Sequence, residues 1–134
     1  MHFKFATAGQ IIFGPGTVET IGDLAQEMGR RVFLITGKDR DRIAPVSGRL
    51  EQKGMSITPF RIRGEPTTDV ALAAVTEARR QACEFVIGIG GGSVLDTGKV
   101  VAALLTNSGD LMDYLEVIGK GRPLKRKPAA YIAV

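Results

Sequence analysis

The chain has 134 residues, 44% of them hydrophobic and 24% charged, with a net charge of +4 and a single cysteine. That length fits one ordinary domain, and the balance excludes both a disordered chain and a disulfide-stapled scaffold. No apolar run approaches the roughly 20 residues that span a bilayer, and Met1-His2-Phe3-Lys4-Phe5 lacks the form of a secretory leader, so a cytoplasmic location with no membrane partner is expected.

Residues 3–13 read as a β-hairpin, two short strands about a turn at Ala8-Gly9, the second ending at Gly14. Thr17 suits the N-cap of a first helix, with Val18, Ile21, Leu24, Ala25 and Met28 on one face and Gly29 placed to end it. Residues 31–36 carry the continuous run Val32-Phe33-Leu34-Ile35, the pattern of a strand covered on both faces, closed by Gly37. Ile43, Val46 and Leu50 suggest a second helix ending at Gly54, its regular part confined by Pro45 to the residues after about Ala44. Residues 56–62 form a weaker strand whose Pro59 points to an edge position.

Thr68 or Asp69 can cap a third helix with the face Val70, Ala71, Ala74, Val75 and Ala78, ending near Ala82. Phe85-Val86-Ile87-Gly88-Ile89 is the clearest strand; Val94, Leu95, Gly98, Val101, Ala102 and Leu105 mark the helix behind it, and residues 129–134 give one more strand. Alternating strands and helices imply an α/β fold of the doubly wound, Rossmann-like kind, a parallel sheet with right-handed crossovers preceded by the N-terminal hairpin. Lys120, Arg122, Lys125, Arg126 and Lys127 sit among glycines and prolines, hence on a loop; with no interleaved aromatic residues they read as solvated rather than as a nucleic-acid surface.

The chemistry concentrates where the strand ending at Ile89 meets a helix through Gly90, Gly91 and Gly92, followed by Ser93. Glycines let a backbone approach an anion closely, and the free N–H groups and dipole of a first helical turn favour negative charge. The competing reading is a glycine turn used only for tight strand-to-helix packing. The segment is neither a Walker loop nor the usual dinucleotide fingerprint, since Ser93 stands where the third glycine belongs. Gly14-Pro15-Gly16 also joins strand to helix, but Glu19 in its third-glycine position would repel a pyrophosphate, so it reads as a structural turn.

Gly90-Gly91-Gly92-Ser93-Val94-Leu95-Asp96 with Lys99 resembles the Gly-Gly-Gly-Ser-x-x-Asp-x-x-Lys signature of iron-containing (group III) alcohol dehydrogenases. Phe13-Gly14-Pro15-Gly16, Thr36-Gly37-Lys38, Glu65-Pro66-Thr67 and Leu111-Met112-Asp113-Tyr114-Leu115 fall in the family's order, so the resemblance covers nearly the whole chain. It implies an oxidoreductase family that passes a hydride between an alcohol or aldehyde and a nicotinamide, with residues 1–134 as its N-terminal NAD(P)-binding domain. Gly91, Gly92 and Ser93 would hold the pyrophosphate, Asp96 would lie near the nicotinamide end, and Lys99 would support the loop. Asp96 and Lys99, three apart on one helix, could equally form a simple ion pair.

The resemblance further places Gly37 and Lys38 at the adenosine ribose and Glu65 near the adenine. A glycine at position 37 followed by Lys38 leaves space and positive charge for a 2′-phosphate, favouring NADP over NAD, with Asp39 as a counterweight. The family's metal ligands, one Asp and three His for Fe or Zn, belong to a helical C-terminal domain that this sequence does not reach; His2 is its only histidine. The chain alone is therefore expected to carry no catalytic residue and no turnover, and to expose apolar surface near Val94, Leu95 and the last strand. It would associate with a second copy or a separate C-terminal domain. A non-catalytic nucleotide-binding module is the alternative.

Overall fold

The computed structural model describes residues 9–115 and 118–134. A 3-10 turn (Thr17–Thr20) leads into α1 (Ile21–Gln26), then β1 (Arg31–Thr36), α2 (Arg40–Gln52), β2 (Ser56–Arg61), α3 (Thr68–Arg80), β3 (Phe85–Ile89), α4 (Gly92–Thr106), α5 (Leu111–Tyr114) and β4 (Tyr131–Ala133). The strands form one parallel sheet in the order β2-β1-β3-β4. β1 and β3 lie at its centre and are buried almost throughout, as their unbroken apolar runs require. Pro59, which has no N–H to donate, sits in β2 at the sheet edge.

Strand alternation divides the core in two. Phe33, Ile35 and Val86 face α3 and α4, meeting Ala71, Ala74, Val75, Ala78, Val101 and Leu104. Val32, Leu34, Phe85, Ile87 and Ile89 face the opposite side, against Ile21 and Ala25 of α1 and Val46 and Leu50 of α2. Three of the four buried positions of α3 are alanines, which lets this helix lie close to its neighbours. Because α2 leaves β1 on one face and α4 leaves β3 on the other, the strand order reverses between β1 and β3. A crevice opens at the carboxyl ends of those two strands, the usual ligand position in such sheets.

Several local expectations are corrected. The first strand of the expected hairpin falls at residues outside the described ones, and residues 9–13 form no strand: Ile11 and Phe13 are 73% and 97% exposed, with no sheet edge beside them among the described residues. Thr17 lies inside the 3-10 turn rather than capping it; Gly16, at φ 74°, holds the cap position, and the Thr17 hydroxyl donates to the Gly14 carbonyl at 3.0 Å. α2 begins at Arg40, five residues before Pro45, because Asp39 caps it and a proline in the second turn removes only one backbone bond. Thr67, not Thr68 or Asp69, caps α3, its hydroxyl accepting from the Val70 N–H at 3.2 Å. Val94, expected near an exposed apolar surface, is buried.

The basic segment is indeed an exposed loop, tied down through its backbone. Buried Asn107 donates to the Ala103 and Arg126 carbonyls at 2.9 and 3.0 Å and accepts from the Arg126 N–H at 2.8 Å, while the Thr106 hydroxyl donates to the Lys127 carbonyl at 2.8 Å. Lys120 and Arg122 pair with Asp113 at 2.7 and 3.7 Å. Among the described residues no helix is long and apolar enough to cross a membrane.

Candidate functional site

The turn between β3 and α4 contains three glycines with different structural demands. Gly90 has φ +151°, and a Cβ there would lie 2.8 Å from Val94 Cγ2, so backbone and packing both require glycine. Gly91 has an ordinary φ of −80°, and a Cβ at Gly91 or Gly92 would meet nothing within 4 Å. Tight strand-to-helix packing therefore explains the first glycine and leaves the other two unexplained by anything among the described residues.

Above those two glycines stands the amino end of a 15-residue helix with no side-chain cap and no acidic residue in its first turn. The Gly91 carbonyl accepts from the Val94 and Leu95 N–H groups at 3.0 and 3.1 Å, whereas the N–H groups of Gly92 and Ser93 have no acceptor among the described residues. Orphan donors, a positive dipole end and unoccupied space coincide here, which is what an anion requires. The other glycine turn lacks this character. Gly14 and Gly16 both have positive φ, at 150° and 74°, and Glu19 lies in the short turn that follows.

Gly37 closes β1 beside the same loop: its N–H donates to the Ile89 carbonyl at 3.4 Å, and a Cβ on Gly90 would lie 3.6 Å from the Gly37 nitrogen. Lys38 is exposed at this point. Asp39 is committed to the start of α2. One carboxylate oxygen accepts from the Asp41 and Arg42 N–H groups at 3.2 and 3.3 Å, and the other pairs with Arg42 Nε at 3.1 Å. The carboxylate expected to compete with a 2′-phosphate is thus engaged as a helix cap.

Asp96 and Lys99 form an ion pair at 3.0 Å with both side chains about two-thirds exposed, at 64% and 67%. Asp96 also lines a mostly apolar groove with Thr97 and Val100 of α4, Pro66 and Thr67 before α3, and Leu111 of α5. Glu65 adjoins this groove in sequence without lining it, and is exposed. Gly37, Lys38, Gly91, Gly92 and Ser93 are brought to one crevice, and Asp96 and Lys99 lie about one and two turns further along α4.

Sequence reasoning missed Tyr131. Its side chain lies between β3 and α4, where a Cβ on Gly88 would come within 2.7 Å of its hydroxyl oxygen and one on Gly98 within 2.6 Å of its ring, and the hydroxyl donates to the Leu95 carbonyl at 3.0 Å. Burial, with the Asp96 charge as a smaller cause, pushes this phenol up to about 12. The available signal was two glycines inside regular elements, one mid-strand and one mid-helix, each unfavourable without a close neighbour.

A metal site does not fit these residues: among the described residues no three His, Cys, Asp or Glu side chains converge. Cys83 is half-buried, and burial pushes its thiol up, away from the thiolate form that nucleophiles and metal ligands use.

A profile of the iron-containing alcohol dehydrogenase family matches residues 8–134. The chain is 32% identical over 140 aligned positions to the mitochondrial hydroxyacid-oxoacid transhydrogenase of Pongo abelii, covering 98% of this chain and 30% of that protein. It is 35% identical to the probable alcohol dehydrogenase EutG of Escherichia coli, covering 77% of this chain and 27% of that one. The fold matches NADH-dependent butanol dehydrogenase A of Thermotoga maritima with a TM-score of 0.85 at 27% identity, over 98% of this chain and 34% of that one. It also matches the sulfoacetaldehyde reductase of Bifidobacterium kashiwanohense in complex with NAD+, with a TM-score of 0.76 at 25% identity, over 99% and 35%. The chain spans about a third or less of the length of these relatives.

Proposed function

We propose that this chain, which belongs to the iron-containing alcohol dehydrogenase family, binds a nicotinamide dinucleotide across the carboxyl ends of β1 and β3 and supplies the cofactor side of a hydride transfer between an alcohol or aldehyde and NAD(P). The observation that carries this reading is the pair Gly91 and Gly92: ordinary backbone, no crowding, and unpartnered N–H groups at a helix start. A pyrophosphate there would receive the Gly92 and Ser93 N–H groups, and the Ser93 hydroxyl could add a donor. The complex of a similar reductase with NAD+ supports the ligand class.

The bound nicotinamide supplies the hydride acceptor or donor, and the protein's part is to hold it in place. Gly37 leaves the ribose free of a carboxylate, Lys38 offers positive charge, and Asp39 is occupied by α2. These features favour NADP over NAD. Glu65, beside the groove at α3, is assigned to the adenine side, and Asp96 to the nicotinamide side, with its partner Lys99 steadying the first turns of α4. Because no metal ligands converge among the described residues, cofactor binding rather than substrate activation is the role assigned here. A second copy or a metal-binding domain would complete the site.

Fluorescence titration of the purified chain with NADPH and NADH, alongside Gly92→Leu, tests the reading. A leucine fits the folded chain, since nothing lies within 4 Å of its Cβ, but would fill the phosphate space. Expected are saturable binding by the parent chain and its loss in a variant of unchanged melting temperature. Undiminished binding by Gly92→Leu would overturn the assignment.

A further inference from the structure

The glycine loop joins two elements whose separation nothing within the loop sets. β3 arrives at Gly90 with a glycine two residues earlier, and α4 departs with a glycine in its second turn. The Tyr131 side chain fills the gap between them: a Cβ on Gly98 would lie 2.6 Å from its ring, and one on Gly88 3.4 Å from its ring and 2.7 Å from its hydroxyl oxygen. Its hydroxyl then reaches the Leu95 carbonyl, in the first turn of α4, at 3.0 Å. In the same turn the Thr97 hydroxyl donates to the Ser93 carbonyl at 2.8 Å, so the segment beginning at Gly92 is held on two sides.

We infer that Tyr131 is a positioning residue for the anion site: its ring sets the spacing between β3 and α4, and its hydroxyl, through Leu95, fixes the direction in which the Gly92 and Ser93 N–H groups point. The inference rests on the reading of that loop as the pyrophosphate site. Recognition of a phosphate by backbone donors depends on their placement to about half an ångström, and a ring wedged between two glycines is a rigid spacer of the kind this needs. The residue touches no ligand itself. It lies 41 positions beyond Gly90 in the chain, yet the parallel pairing of β3 with β4 places Tyr131 beside Val86, one strand over and just below the loop.

Tyr131→Phe keeps the ring between Gly88 and Gly98 and removes the hydroxyl tether. In the ligand-free protein, the amide resonances of Gly91, Gly92 and Ser93 should shift while the melting temperature changes little. Affinity for ADP, which carries the pyrophosphate, should fall about three- to tenfold, the effect of losing one neutral hydrogen bond. Affinity for adenosine, which carries no phosphate, should stay the same. Unmoved amides with unchanged ADP binding would overturn the inference and leave the pyrophosphate reading standing, the ring being then a space-filler. Equal losses for ADP and adenosine with a lowered melting temperature would also overturn it, as general destabilisation. Failure of the parent chain to bind ADP would overturn the pyrophosphate reading on which it rests.

Discussion

Tyr131 occupies the space that any side chain on Gly98 would need, since a Cβ on that helical glycine would lie 2.6 Å from the phenol ring. Two effects of Gly98→Ala then oppose each other. Replacing a mid-helix glycine by alanine ordinarily stabilises by about 1 kcal/mol, whereas forcing an extra carbon into a filled site costs about 1–3 kcal/mol. The ring is pinned by its hydroxyl and by Gly88 on its other side, so the second effect should win. Urea unfolding should show net destabilisation by Gly98→Ala, relieved when Tyr131→Ala is added. A stabilised single variant would show that the ring is free to move.

The position of Asp39 yields a prediction about cofactor choice. At Gly37 a Cβ would meet only Val94 Cγ2 at 3.7 Å, an ordinary contact, so Gly37→Asp should fold. Its carboxylate would accept the ribose hydroxyls and repel a 2′-phosphate, moving the NADPH to NADH affinity ratio toward NADH by about tenfold or more, equivalent to about 1.4 kcal/mol. Asp39→Ala should leave that ratio unchanged and instead lower stability by about 1 kcal/mol, the effect of losing an N-cap. A cofactor ratio that responds to Asp39 and ignores Gly37 would reverse the assignment.

What the sequence made legible follows from the range of the forces involved. β1 and β3 announce themselves because a strand buried on both faces must be apolar throughout, and the glycine turns at their ends mark where the backbone changes direction. The cap of α3 was displaced by one residue because Thr67, Thr68 and Asp69 can all cap and only tertiary packing chooses. The strand expected through Ile11, Ile12 and Phe13 rested on β-propensity, which counts for little without a neighbouring edge, and among the described residues none lies beside them. In the candidate site, the loop and Gly37 were readable as local motifs. The engagement of Asp39 by α2 and the wedge formed by Tyr131, Gly88 and Gly98 were not, since each depends on side-chain direction or on contacts between distant segments.

The raised pKa of Tyr131 predicts a pH dependence with a definite sign. Its value in the folded chain, about 12 against an ordinary 10, means that the folded state holds the phenolic proton more tightly than the unfolded one. The associated stability is fully present below pH 10 and is lost as pH rises from there through about 12. In Tyr114→Phe, which leaves Tyr131 as the sole tyrosine, tyrosinate absorbance should develop only toward the upper end of that interval. Asp96→Asn should bring the transition down slightly, because burial is the larger cause and the Asp96 charge the smaller. A transition at the ordinary value in the folded protein would mean that the ring is not enclosed as described.

The final prediction concerns metal. Catalytic iron or zinc needs three or four convergent donors, and several carboxylates here are already committed to cations: Asp96 to Lys99, Asp39 to Arg42, Glu84 to Arg31, and Asp113 to Lys120. Glu84 shows how firm such commitment can be. It accepts from the Arg30 and Arg31 N–H groups at 2.7 and 2.8 Å, and these bonds hold its carboxyl below the usual range. A metal would have to displace such partners and draw together side chains from separate elements, which surface carboxylates in water do not achieve at useful affinity. After equilibration with Fe(II) or Zn(II) and desalting, the purified 134-residue chain should retain far less than one metal per molecule. With NADP or NADPH and short alcohols or aldehydes, nicotinamide absorbance should stay constant even though the nucleotide binds. Stoichiometric metal accompanied by metal-stimulated turnover would show that the chain assembles a catalytic centre by itself, and would overturn its assignment as the cofactor-binding part of the reaction.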